Sequence, residues 1–443
     1  MIPKEICNPK LQQSVMFAVS LQENTIWILD WCSHDGWQSA GRFHATGFAG
    51  ADKQRNGKNL PVTWRTTFVA TILVLSLAFS GTREVRAHWA LVDPNASAPG
   101  FSFANMAFAT AKRGVMAGWC RVHKSRRGRG PRALGAAILW TKDGGHSWHR
   151  ALIKDSAADL IGVTVSGVWF CNARLGFAIG ATSGPRANHS VLLKTTDSGH
   201  QWQSVRLPAD IVANQVWFGP RGIKGRLLPW YGNTFWQSIN GGKTWRKIYV
   251  GHRFNPPRWI GSWENLVLTS NRGTVLLTHD AGQTWKVVQT GLKTGIGGIS
   301  FAKGGQAGWA IGGKGRYLRN GGWGMYADPV ILHTTNGGKT WTRQTLPAGR
   351  TGPLTDVWAI SPTEAWVSSM FGYARTNPYT ALPWLLHTTD GGKSWRNKQK
   401  HLVSVRKLFF LNARHGWAVG GQGGSPFEPY SAALLIYHPV NGN

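Results

Sequence analysis

The chain has 443 residues and is 42% hydrophobic and 12% aromatic, so it can bury a large core. Its 25 tryptophans and 56 glycines argue for many short strands and against a mainly helical fold. The formal net charge of +31 implies an anionic partner or surface, or an environment that tolerates it, and carries no information about fold.

Residues 1–59 contain no repeat landmark and receive no fold assignment; their end, Gly47 to Asn59, reads as irregular. The apolar run Phe68 to Phe79 follows Lys58 and Arg65 and precedes the small-residue pattern Val85-Arg86-Ala87. It is shorter than the roughly 20 apolar residues of a spanning helix and suits a secretory signal core over 60–87, with a buried strand or an uncleaved anchor as the other reading. A signal core this far into the chain leads to the expectation that translation starts near Leu60 or Val62 and that 1–59 is a mis-annotated extension. The mature chain, 88–443, is then exported to the periplasm or outside the cell.

From here one phrase, Ser/Thr-x-Asp/Asn-x-Gly-x-x-Trp, recurs six times: at Thr141 to Trp148, Thr195 to Trp202, Ser238 to Trp245, Thr278 to Trp285, Thr334 to Trp341 and Thr388 to Trp395. An apolar, β-prone run precedes most copies, such as Ala137-Ile138-Leu139-Trp140 and Trp384-Leu385-Leu386, and an extended stretch follows each Trp. That is a β-hairpin with the phrase as its turn. The side-chain oxygen of Asp143, Asp197, Asn240, Asp280, Asn336 or Asp390 can accept backbone N–H groups two or three residues on, and the glycine two residues after it tolerates a left-handed backbone.

The turn tryptophans at 148, 202, 245, 285, 341 and 395 lie 54, 43, 40, 56 and 54 residues apart, room for about four short strands per unit. A second landmark is a Gly-aromatic-Ala-Val/Ile-Gly strand, at Gly176 to Gly180, Gly308 to Gly312 and Gly416 to Gly420, with weaker forms at Gly114 to Gly118 and Ala365 to Val367. Before it lies another apolar strand, as in Val168-Trp169-Phe170 or Leu408-Phe409-Phe410. Unit three has only Leu227-Leu228-Pro229-Trp230-Tyr231 at the second-strand position.

A seventh unit follows the last box, with Leu408 to Phe410, Gly416 to Gly420 and Ala433 to Tyr437, and then the chain runs out one strand short. His88-Trp89-Ala90-Leu91-Val92 supplies the missing strand, which removes an exposed sheet edge. The expected fold is all-β: a seven-bladed β-propeller of four-stranded blades over 88–443, its ring closed by the N-terminal strand.

The phrase resembles the Asp-box, or bacterial neuraminidase repeat, of sialidases, xyloglucanases and sortilin-type receptors. With Gly-Trp-Ala-Val-Gly at 416–420 and Leu-Leu-His-Thr-Thr-Asp-Gly-Gly-Lys-Ser-Trp at 385–395, the unit more closely resembles the photosystem II assembly and stability factor family. That resemblance implies a periplasmic or thylakoid-lumenal seven-bladed propeller that binds protein and is not an enzyme. Propellers host unrelated activities, so it bears on fold more than on function.

The box aspartates recur at every turn and therefore serve turn geometry, and the box tryptophans serve packing. An Asp-box glycoside hydrolase, the alternative reading, would need two carboxylates outside the boxes facing one sugar, drawn from Asp93, Asp155, Asp159, Asp210, Glu264, Asp328, Asp356, Glu364 and Glu428. The sialidase Arg-Ile-Pro motif has only Arg206-Leu207-Pro208 as a counterpart. No cofactor is expected, and no zinc spacing is seen; Cys120 and Cys171 read as free buried thiols.

The long loops between second and third strands lie on the face opposite the Asp-box turns, where function gathers. They carry Arg121, Lys124, Arg126, Arg127, Arg129, Arg132, Arg186, Arg316, Arg319 and Arg375, interleaved with Tyr317, Trp323, Tyr326 and Tyr373. This face fits a membrane or envelope protein with acidic segments, or an anionic membrane surface. A solvated charge run is the bland reading; an anionic polymer ranks third, and no nucleic-acid motif is present.

Overall fold

The computed structural model describes the backbone at 14–21, 25–32 and 43–48, and then residues 87–92, 101–121, 134–154, 162–182, 189–229, 231–255, 262–313, 316–317, 323–324, 329–347, 353–370, 383–398, 403–422 and 431–439. The chain divides into two compact units, Met1–Arg83 and Glu84–Asn443.

In the first unit Ser14–Leu21, Thr25–Cys32 and Phe43–Phe48 pair as an antiparallel meander. These segments are rich in Val, Ile, Trp and Phe, which favour a pleated sheet, but they carry neither repeat landmark. The apolar run 68–79 and the rest of 60–86 lie outside the described residues.

The second unit is a seven-bladed β-propeller. Blade one comprises Phe101–Phe108, Gly114–Arg121, Leu134–Thr141 and His149–Arg150, and blade two Val163–Phe170, Gly176–Thr182, Ser190–Thr195 and Gln201–Val205. Blade three holds Gln215–Phe218, Gly225–Leu228, Gly232–Ser238 and Arg246–Phe254, and blade four Leu266–Thr269, Thr274–Thr278 and Lys286–Gln289. Ile296–Phe301, Gly308–Gly313, Pro329–Thr334 and Thr342–Arg343 form blade five; Leu354–Ala359, Ala365–Ser369, Leu385–Thr388 and Arg396–Asn397 form blade six. Blade seven is Val403–Asn412, His415–Gln422 and Ser431–His438, completed by His88–Val92 in antiparallel register, with Leu435 opposite Leu91 and Tyr437 opposite Trp89.

Two blades depart from four strands. Blade four shows three among the described residues, with an isolated bridge from Asn255 to Thr269. Blade two gains a fifth, because Leu152–Ile153 pairs in parallel with Gln201 and Trp202.

The Gly-aromatic-Ala-x-Gly landmark has a steric cause. In blades one, two, three, five and seven a phenylalanine near the end of the first strand lies over the glycine near the start of the second: a Cβ on Gly114 would sit 2.4 Å from the Phe108 ring, and one on Gly416 2.3 Å from Phe410. The landmark's last glycine faces backbone, since a Cβ on Gly118 would meet the Ser102 carbonyl at 1.8 Å. Between them the side chains are buried on both sheet faces, as at Phe177, Ala178 and Ile179. Blade three obeys the same rule, with Gly225 under Phe218. Its second strand begins at Gly225, ahead of the Leu227 to Tyr231 run expected from sequence, and Arg226 stands where blades two, five, six and seven place Phe177, Trp309, Trp366 and Trp417.

The core is divided among the seams. Among the described residues seven apolar clusters each join two neighbouring blades, and every box tryptophan packs into the seam with the blade before it: Trp148 against blade seven, Trp202 against blade one, Trp395 against blade five.

Candidate functional site

The Asp-box turn is a closed network that uses its own acidic group. In blade one the Asp143 Oδ1 accepts the Ser147 amide at 2.9 Å and the Thr141 hydroxyl at 2.7 Å. The Thr141 Oγ1 in turn accepts the Gly145 amide at 3.0 Å, and the Trp148 indole donates to the Gly145 carbonyl at 2.8 Å. The carboxylate therefore reaches four residues on, further than the two or three expected from sequence, and Asp280 also takes an amide three on, that of Gln283. Two consecutive residues after it are left-handed, as at Gly144 and Gly145, and Ser198 and Ala281 occupy the first of these positions at φ 67° and 62°. Asn240 and Asn336 accept the same amide with their Oδ1, at 2.9 and 3.0 Å.

These bonds stabilise the ionised form. Burial pushes the Asp143 carboxyl up, but the Ser147 hydroxyl and amide and the Thr141 hydroxyl outweigh it and hold the group at about 2. Asp197 is lowered by the Gln201 amide and the Thr195 hydroxyl against burial. The hydroxyls of Thr284 and Ser394 hold Asp280 and Asp390 below the usual carboxylate range.

Among the described residues, Asp356, Glu364 and Glu264 outside the boxes are also engaged. Asp356, on the first strand of blade six, is buried and accepts the Val357 and Leu408 amides, both at 2.8 Å. Glu364 lies 3.0 Å from His387, whose ring stacks on Trp366 at 4.0 Å. Glu264 is exposed and 4.0 Å from Lys224, and Asp210 is exposed on a turn. Asp93, Asp155, Asp159, Asp328 and Glu428 lie outside the described residues.

The first strands of blades one, two, three, six and seven line a cavity of about 80 Å³, with Asn105, Trp169, Gln215, Trp217, Asp356 and Lys407 among its walls. The hydrogen bonds between neighbouring first strands were not evident in the sequence. The first strands of blades one, two, five, six and seven each carry a bulge, as between Phe103 and Asn105 or Leu354 and Asp356. A bulge puts an extra residue into the strand and turns polar groups toward the next blade. Asn105 donates to the Ser166 carbonyl at 3.1 Å, Ser166 to Asn214 at 3.0 Å, and Thr355 to Val405 at 2.5 Å. The available signal was a polar residue inside each apolar first strand.

Arg226 is a second feature sequence reasoning missed. It is fully buried, stacks 5.8 Å from the Trp217 ring and 4.7 Å from Trp263, and donates to the Ser262 and Trp263 carbonyls. Burial lowers its pKa to about 10, which leaves it charged.

Of the basic loop face, Arg121 ends a blade-one strand, and Arg316–Tyr317 pairs with Trp323–Gly324 in a two-stranded ladder. Lys124, Arg126, Arg127, Arg129, Arg132, Arg186, Arg319, Tyr326, Tyr373 and Arg375 lie outside the described residues. Cys120 and Cys171 are unpaired, as expected, but only partly buried; burial still pushes the Cys171 thiol up to about 12.

Comparison with protein-family models finds no match. A curated protein, the chloroplastic photosystem II stability/assembly factor HCF136 of Oryza sativa subsp. japonica, is 23% identical over 318 residues, spanning 65% of this chain and 72% of that one. YCF48 from Cyanidioschyzon merolae superposes with a TM-score of 0.55 at 18% identity, covering 80% of this chain and all, 100%, of that structure. YCF48 bound to D1 peptide also gives 0.55, at 19% identity and 79% and 96% coverage. The chain is thus a seven-bladed propeller similar in sequence to a photosystem II stability/assembly factor and alike in fold to YCF48.

Proposed function

We propose that this protein is a non-catalytic binding propeller that supports the assembly or stability of a membrane or envelope protein complex. The observation that carries the reading is the 318-residue likeness to a stability/assembly factor. The box carboxylates support it, since each is used within its own turn. A structural neighbour holds a D1 peptide, so the ligand here is taken to be a protein segment. The excess of Arg and Lys favours an acidic one, docked on the loop face that carries Arg126, Arg127 and Arg129. Export through the 60–87 segment would place the protein in the periplasm, outside the cell, or in a thylakoid lumen.

The test is capture of the partner from detergent-solubilised membranes by the purified chain and by an Arg126→Ser/Arg127→Ser/Arg129→Ser variant. The variant is expected to hold less partner and to lose much of the salt dependence, because exposed charges are screened within about 10 Å at 0.1 M salt. Equal capture with the same salt dependence removes the loop from the contact. Release of sugar from sialosides or β-glucans by purified protein would overturn the non-catalytic reading in favour of an Asp-box hydrolase.

A further inference from the structure

Six Asp-box turns share one backbone bond that makes their positions comparable. The residue after each box Asp or Asn donates its amide, at 2.8 to 3.0 Å, to a backbone carbonyl in the turn between the first two strands of the same blade or, in blade four, just ahead of Leu266–Thr269. The accepting residues are Lys112, Arg174, Ile223, Glu264, Gln306 and Thr363. The residues just before the box Asp or Asn are Lys142, Thr196, Ile239, His279, Thr335 and Thr389. At both positions five blades carry a polar or charged side chain, and blade three alone carries isoleucine.

Both isoleucines face water, Ile223 at 50% exposure and Ile239 at 68%. The Gly241 amide joins the two turns by bonding the Ile223 carbonyl at 2.8 Å, so the side chains belong to one spot at the Asp-box end of the blade. Gly222 fixes the first turn: its φ is 66°, and a Cβ there would lie 2.4 Å from Leu175 of blade two. That partly buried neighbour holds the turn down and leaves the next residue, Ile223, outside. Exposed cations flank the pair in sequence, Arg221 and Lys224 in the first turn and Lys243 in the box. Lys224 also lies 4.0 Å from Glu264 and 5.4 Å from the Trp263 ring.

We infer that the Asp-box end of blade three docks on an anionic lipid bilayer, with Ile223 and Ile239 entering the headgroup region and Arg221, Lys224 and Lys243 meeting the lipid charges. Two side chains are a small fraction of the roughly 800 Å² that each partner buries in a specific protein interface. A bilayer surface needs no such continuous patch, because apolar tips and nearby cations contribute separately to binding. The inference is independent of the protein-docking reading, which concerns the opposite face.

The test is co-sedimentation of the full chain with phosphatidylcholine vesicles, with and without phosphatidylglycerol. Three proteins are compared: wild type, Ile223→Ser/Ile239→Ser, and Arg221→Ser/Lys224→Ser/Lys243→Ser, each first shown to melt as wild type does. Wild type should bind only the anionic vesicles. The isoleucine variant should bind about tenfold more weakly, from partial loss of two apolar side chains, and the cation variant about fivefold more weakly for each charge removed. Wild-type binding unchanged by the isoleucine substitutions would overturn the proposal and leave only diffuse charge attraction. No wild-type binding would overturn it too, and so would substitutions that spare vesicle binding but abolish partner capture, which would assign the spot to a protein. Failure here leaves the capture experiment with the triple-arginine variant untouched.

Discussion

Each box aspartate makes the amide bond that Asn240 and Asn336 make without a charge, so ionisation adds acid sensitivity to a geometry that an amide can also hold. The folded-state pKa of Asp143 is about 2, and those of Asp197, Asp280 and Asp390 are also lowered. Unfolded aspartate titrates near 3.9, so the contribution of these groups is fully present above about pH 4 and is lost as pH falls through the folded values. Replacing all four by Asn should therefore flatten the fall of the melting temperature between about pH 4 and pH 2. Melting curves across that range decide it; parallel decline of variant and wild type would show that other groups govern acid unfolding. The box itself was legible because its bonds close within eight residues. The reach of the carboxylate to the fourth residue on was not, because it depends on two successive left-handed residues, and Ser198 and Ala281 show that glycine does not mark them all.

At the scale of the strand, second strands announced themselves through the glycine that admits the neighbouring phenylalanine. In blade three Arg226 hid the pattern, since a cation in a core position contradicts the expectation that buried charges are paired. The structure resolves this by placing its guanidinium over the Trp217 and Trp263 rings, and by giving it the Ser262 and Trp263 carbonyls to donate to. First strands were harder to read, because a one-residue bulge shifts which side chains face the seam while leaving the apolar alternation on either side intact. Asp356 illustrates the outcome, as it ties blade six to blade seven through the Leu408 amide. Asp356→Ala should destabilise the propeller by about 1–3 kcal/mol, the cost of leaving buried amides without an acceptor. Chemical denaturation measures this directly, and an unchanged midpoint would show that the bond between blades contributes little.

At the scale of the ring, closure rests on His88–Val92. Trp89 is buried and packs on Trp366 at 5.4 Å, Phe410 at 5.7 Å and Tyr437 at 5.2 Å, so the closing strand contributes core as well as hydrogen bonds. Trp89→Ala should cost about 3–5 kcal/mol, and removing residues 88–92 should expose the edge of Ser431–His438 and promote aggregation. Light scattering and thermal melting check both; a chain lacking the strand that stays monomeric and melts as before would refute closure by this segment. The sequence by itself determined the repeat, the hairpin turns and the seven units, because turn chemistry and strand alternation act between residues close along the chain; the closing strand, which pairs 88–92 with 431–438, was legible only by counting strands per unit. Only the tertiary structure decided the seams: the bonds from bulged first strands to the next blade, the buried Arg226 against Trp263, and the Trp417 indole donating to the Gly144 carbonyl at 2.6 Å between blades seven and one. Those pairings join residues distant in sequence, whose meeting depends on how neighbouring sheets twist and pack, and no local pattern encodes that.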